Sequence, residues 1–133
     1  MYTLIPLQQT MSTPSSFAYL SVERGMEFIG DEAGFLSLLK TLHKTLTTDI
    51  PLMTDLLRQD DVAGANRLMH QVKGFAPVFC VDALVEHVVA VEALSKHGDA
   101  PQVRAAFARL APQLEQLRSE VAAHLKAHQH PLD

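Results

Sequence analysis

One short segment, Asn66-Arg67-Leu68-Met69-His70-Gln71-Val72-Lys73-Gly74-Phe75, combines a nucleophile, a cation and a gap at helical spacing. Neutral imidazole is a competent nucleophile near neutral pH. A lysine at i+3 can set an ammonium beside whatever His70 takes up, and a glycine at i+4 removes the side chain that would obstruct an approaching partner. From Val62 to Phe79 the apolar positions are Ala65, Leu68, Met69, Val72, Phe75, Ala76 and Phe79, the three-and-four spacing of an amphipathic helix. At about 100° per residue the stripe centres on Ala65, Val72 and Phe79, which puts His70 about 200° from Val72 and on the outer face. Asn66, Lys73, Gly74 and Pro77 share that face. A packed core histidine is the ordinary alternative, and the phase argues against it.

The elements that must hold this segment are helical. Residues 1–16 are rich in Thr, Ser, Pro and Gln without a sustained period and read as a flexible leader. A short helix is expected from Phe17 to Phe28, ended by Gly30, after which Asp31 suits the N-cap of a long helix. That helix carries the stripe Phe35, Leu38, Leu39, Leu42, Leu46, Ile50, Met53 and Leu57, with Pro51 expected to kink or divide it. Asp60-Asp61 caps the His70 helix, and Pro77 should bend its last turn. A further helix runs from about Asp82 to Lys96 with Leu84, Val88, Val91 and Leu94 inward, stopped by Gly98. Asp99 and Pro101 open the last, whose stripe is Val103, Phe107, Leu110, Leu114, Leu117 and Val121, with Pro112 on its outer side. No stretch alternates as a strand does. The prediction is an all-α chain, an antiparallel up-down four-helix bundle with a short additional N-terminal helix over residues 17–127, followed by a flexible tail at 128–133.

Bulk properties narrow the function. The 133 residues suit one domain, and 47% hydrophobic with 20% charged residues is a globular composition. A net charge of −4 gives no broad basic footprint for nucleic acid. The single cysteine, Cys80, permits no internal disulfide and suits a reducing compartment. No apolar run reaches the roughly 18 residues of a membrane span, and the start lacks the pattern of a signal peptide. A cytoplasmic location without membrane attachment is the expectation.

His70-Gln71-Val72-Lys73-Gly74, on the second long helix of a small all-helical chain, resembles the H-x-x-K-G signature of histidine-containing phosphotransfer (HPt) domains. The resemblance extends over about Phe17 to Leu125. The stretch from Val22 to Glu32 is similar to the usual lead-in, and Val91-Glu92 falls where such domains often have an apolar residue followed by Glu or Gln. It implies a stand-alone phosphorelay intermediate. His70 would accept a phosphoryl group from a receiver-domain aspartate of a hybrid sensor kinase and pass it to an aspartate of a response regulator. Lys73 would neutralise phosphoryl charge, Gly74 would give the receiver access, and Glu92 could support the imidazole, unless it is only a solvated helix glutamate. Asn66, Arg67 and Pro77 are candidate partner contacts. No stably bound cofactor is implied, Mg²⁺ being brought by the receiver, and the chain has no nucleotide-binding motif with which to phosphorylate itself from ATP. A monomer is expected, because the bundle closes its own core.

The chain also departs from that pattern. Phe75 and Cys80 stand where the family commonly has small residues and glycine, and His87 where an apolar residue is usual. Cys80 and Pro77 together predict a different exit from the His70 helix. A helical adaptor that binds receivers without transferring phosphate is the alternative function. A metal reading rests on His124, His128 and His130, whose spacing could set two imidazoles on one helix face. No neighbouring Cys, Asp or Glu completes a set apart from Asp133, so the expectation is a solvated tail and no metal site.

Overall fold

A computed structural model describes residues 17–128. The expected leader (1–16) and most of the expected tail, with His130 and Asp133, lie outside the described residues. Among the described residues five helices follow one another: α1 (Val22–Ile29), α2 (Glu32–Arg58), α3 (Val62–Phe79), α4 (Asp82–His97) and α5 (Ala100–Ala127). Among the described residues there is no strand, only an isolated antiparallel bridge between Leu20 and Cys80.

The boundaries follow from capping chemistry. Ser21 accepts the Arg24 amide at the start of α1, Asp31 the Gly34 amide, and Asp61 the Gly64 amide. Asp99 and Gln102 form a reciprocal capping box on α5, with Pro101 in its first turn. Gly30 ends α1 at φ 97°, in the left-handed region that glycine occupies without penalty. Gly98 stops α4 differently, in an extended conformation at φ −78°.

α2 packs against α5 and α3, α4 packs against α3 and α5, and α1 lies on α3 and α2. The core is continuous through all four longer helices, from Phe35, Leu39 and Leu46 to Met69, Val72, Leu84, Val88, Leu110, Leu114 and Leu117. Leu20 and Cys80 join it from the bridge.

Four expectations change. Residues 17–20 are not helical. The amides of Ala18, Tyr19 and Leu20 all donate to the buried Glu120 carboxylate at 2.9 Å, and Ser21 and Tyr19 bond the backbone of Phe79 and Val81. An extended chain makes these bonds and a helix would not, so α1 begins at Val22. Pro51 does not divide α2. Its ring is on an exposed position, and the Thr47 carbonyl it leaves unbonded lies on the exposed side too, within reach of water. Leu38 is 46% exposed while Leu36, on the opposite flank of the stripe, is buried, so the cover over α2 is asymmetric. His124 is no part of a solvated tail. α5 continues to Ala127, and one heptad after Leu117 the His124 ring is buried, edge-on to Phe35 and Phe17 at 5.8 and 6.2 Å between centroids.

Candidate functional site

α3 presents its faces as the period requires. Ala65, Met69, Val72, Ala76 and Phe79 are buried, while Arg67, His70, Gly74 and Pro77 are exposed. Phe75 is half-buried and packs on the core, so this departure from small residues is absorbed inward. Pro77 lies inside α3, which ends at Phe79. Cys80 follows as an extended C-cap, its amide bonded to the Ala76 carbonyl. Arg24 clamps this exit, donating to the Cys80 carbonyl at 2.6 Å and pairing with Asp82 at 2.8 Å. The Cys80 thiol is buried, and burial pushes its pKa up to about 12, which keeps it protonated near neutral pH.

α4 runs alongside α3 and brings Glu92 to the histidine. The His70 side chain is 67% exposed, yet its Nδ1 lies 3.4 Å from Glu92 Oε2, and Glu92 is only 1% exposed. The other oxygen, Oε1, is 3.2 Å from Lys73 Nζ and 3.6 Å from Lys96 Nζ. Asn66 donates its side-chain amide to Ser95 Oγ at 2.7 Å and, at 3.3 Å, to both the carbonyl and Oε2 of Glu92. Ser95 in turn donates to the Glu92 carbonyl at 2.7 Å.

Burial alone would push the Glu92 pKa up. The hydrogen bonds from Lys73 and His70 and the charges of Lys73 and Lys96 outweigh it, and the carboxyl is held below the usual glutamate range. Near neutral pH Glu92 is therefore a buried carboxylate, stabilised by hydrogen bonds at both oxygens and by the two ammonium groups.

A Cβ built on Gly74 meets nothing within 4 Å. The fold does not require glycine there, and what its absence of side chain leaves is open surface one turn beyond His70. Of the residues singled out in the sequence, the structure brings His70, Lys73, Glu92 and Asn66 into contact. Arg67 stays on the exposed side, and Asn66 directs its amide inward to Glu92 and Ser95. Glu92 is buried beside the His70 ring rather than solvated. Lys96 and Ser95 escaped the sequence reading, although they stand four and three residues after Glu92, the positions that share its helix face.

Among the described residues the other histidines form no comparable centre. His87 Nδ1 is 2.7 Å from Gln113 Oε1. His124 and His128 lie with centroids 4.2 Å apart, and His128 Nε2 is 3.6 Å from Glu32. Among the described residues no three His, Cys, Asp or Glu side chains are grouped as metal ligands would be. No described helix is long and apolar enough to cross a membrane.

Comparison with known proteins places this site in context. The family model described as the Hpt domain matches residues 37–122, which includes α3, α4 and every residue of the His70–Glu92 network. No curated protein and no solved structure matches the chain.

Proposed function

The chain belongs to the Hpt domain family, whose members carry phosphoryl groups on histidine in two-component phosphorelays, and we propose that His70 is the acceptor through which this one does so. The observation that carries this reading is the exposed His70 ring, backed at Nδ1 by a buried carboxylate, with Lys73 beside it and open surface at Gly74. A proton on Nδ1 facing Glu92 Oε2 leaves the Nε2 lone pair free, pointing the reactive nitrogen away from its support.

In the proposed step the Nε2 lone pair attacks the phosphorus of an aspartyl phosphate on a receiver domain. The N–P bond forms as the P–O bond breaks, and that electron pair returns to the receiver's aspartate as carboxylate. The Nδ1 proton stays in place, and the positive charge that develops on the ring faces Glu92. Lys73 offers its ammonium to the phosphoryl oxygens. The reverse sequence, with a response-regulator aspartate as nucleophile, discharges the histidine. Such transfer requires positioning and charge neutralisation more than an enclosed cavity, so a convex helix face is sufficient.

In this reading the donor is a hybrid sensor kinase receiver and the recipient a response regulator. Mg²⁺ arrives with the receiver's own carboxylates, and the chain does not phosphorylate itself from ATP. We further read the four longer helices as an antiparallel up-down bundle, since their connections are short, and the protein as a cytoplasmic monomer. The test is a transfer assay with a panel of receiver domains from the host, each charged with radiolabelled acetyl phosphate in Mg²⁺. Acid-labile, alkali-stable label on the chain, absent from His70→Gln, is the expected result. Binding without label would favour the adaptor reading, and label persisting on His70→Gln would move the acceptor elsewhere.

A further inference from the structure

Glu92 is surrounded by more positive charge than it needs. One buried carboxylate oxygen, Oε1, faces two ammonium groups, Lys73 at 3.2 Å and Lys96 at 3.6 Å, while Oε2 faces His70 and Asn66. During transfer Lys73 has a second claim on it, the phosphoryl oxygens. If Lys73 were the sole counter-ion, its departure would strand a carboxylate that is 1% exposed, a costly arrangement that would oppose the movement.

Building on the proposed role of His70, we propose that Lys96 is a positioning residue, the counter-ion that holds Glu92 ionised while Lys73 turns to the phosphoryl group. Lys96 is i+4 to Glu92 on α4, the spacing at which a glutamate and a following lysine meet on one helix face. Its side chain is 46% exposed and borders a groove of about 440 Å³ between the start of α3 and the end of α4, lined by Asn66, Arg67, Ser95, Lys96 and His97. At 3.6 Å the Lys96 ammonium already faces Oε1, so it can keep that charge paired when Lys73 withdraws. Asn66 and Ser95 fix the Glu92 backbone and Oε2 meanwhile, so the imidazole keeps its support. Lys96 does not touch the phosphoryl group in this account. It acts through Glu92, and its effect must vanish when Glu92 carries no charge.

That dependence supplies the test. Transfer rates from the same labelled receiver would be measured for the native chain, Lys96→Met, Lys96→Arg, Glu92→Gln and Glu92→Gln/Lys96→Met, alongside thermal melts. Lys96→Met is expected to slow transfer about five- to twentyfold, the range of a coupling of ~1–2 kcal/mol, with Lys96→Arg retaining most of the rate. In the Glu92→Gln background the added Lys96→Met change should alter the rate less than twofold. A lysine whose pair with Glu92 served stability alone would lower the melting temperature of the native background without slowing transfer, and would not show this pattern of rates. Unchanged transfer in Lys96→Met, or an equal loss in both backgrounds, overturns the inference while leaving His70 as acceptor. Absence of label on the native chain overturns the acceptor reading itself, and the inference with it.

Discussion

Gly74 separates what this surface needs from what the helix would prefer. It sits in the interior of α3, where glycine costs about 1 kcal/mol relative to alanine. Since a Cβ there would meet nothing within 4 Å, no packing reason among the described residues offsets that cost. Gly74→Ala should therefore stabilise the isolated protein by roughly 0.5–1 kcal/mol. If a receiver closes over this point, the same methyl should slow transfer several-fold. Denaturant titration and the transfer assay, run on one sample, would read both effects. Faster or unchanged transfer in a stabilised Gly74→Ala protein would show that the receiver does not approach His70 from this side.

Gly25 gives the opposite result from the same substitution, because its neighbour belongs to another helix. It is the buried residue of α1, and a Cβ on it would overlap the Phe35 side chain of α2. Gly25→Ala should destabilise by about 1–3 kcal/mol through overpacking, or shift α1 off the bundle. Unfolding midpoints would register this, and a midpoint equal to the native one would mean that Phe35 yields freely. The contrast also explains what could be read from sequence. The outward phase of His70 depends only on the period of its own helix, so residue spacing was enough. The burial of Glu92 depends on α3, which supplies Lys73, His70 and Asn66 from 19 to 26 residues away. The extended course of residues 18–20 depends on Glu120, about a hundred residues further on. Nothing local in the lead-in announces that acceptor, and Glu120 itself reads as an ordinary helix glutamate beside Val121.

The buried ionisable groups give the folded chain a pH response that can be derived with its sign. His124 is held below the ordinary histidine value of 6.5 by burial and by the neighbouring His128, with Glu32 opposing. His43 is likewise lowered, by burial and by Arg118. Between the lowered folded values and 6.5 the unfolded chain binds more protons, so stability falls as pH drops through that window. Glu92 acts in the same direction at lower pH, since its stabilisation is lost as pH falls through its depressed value. Asp49 acts oppositely, for burial raises its pKa and its ionisation weakens the fold as pH climbs. A comparison between variants isolates His124 from these others. The native melting temperature should decline from pH 7.5 to 5.5, over the interval where histidines titrate. In His124→Leu, which keeps an apolar contact for Phe17 and Phe35, that decline should be visibly shallower whatever the absolute stability. Parallel melting profiles for the two proteins would mean that the His124 ring accepts its proton without strain. The acid sensitivity of the bundle over this interval would then have to originate at His43.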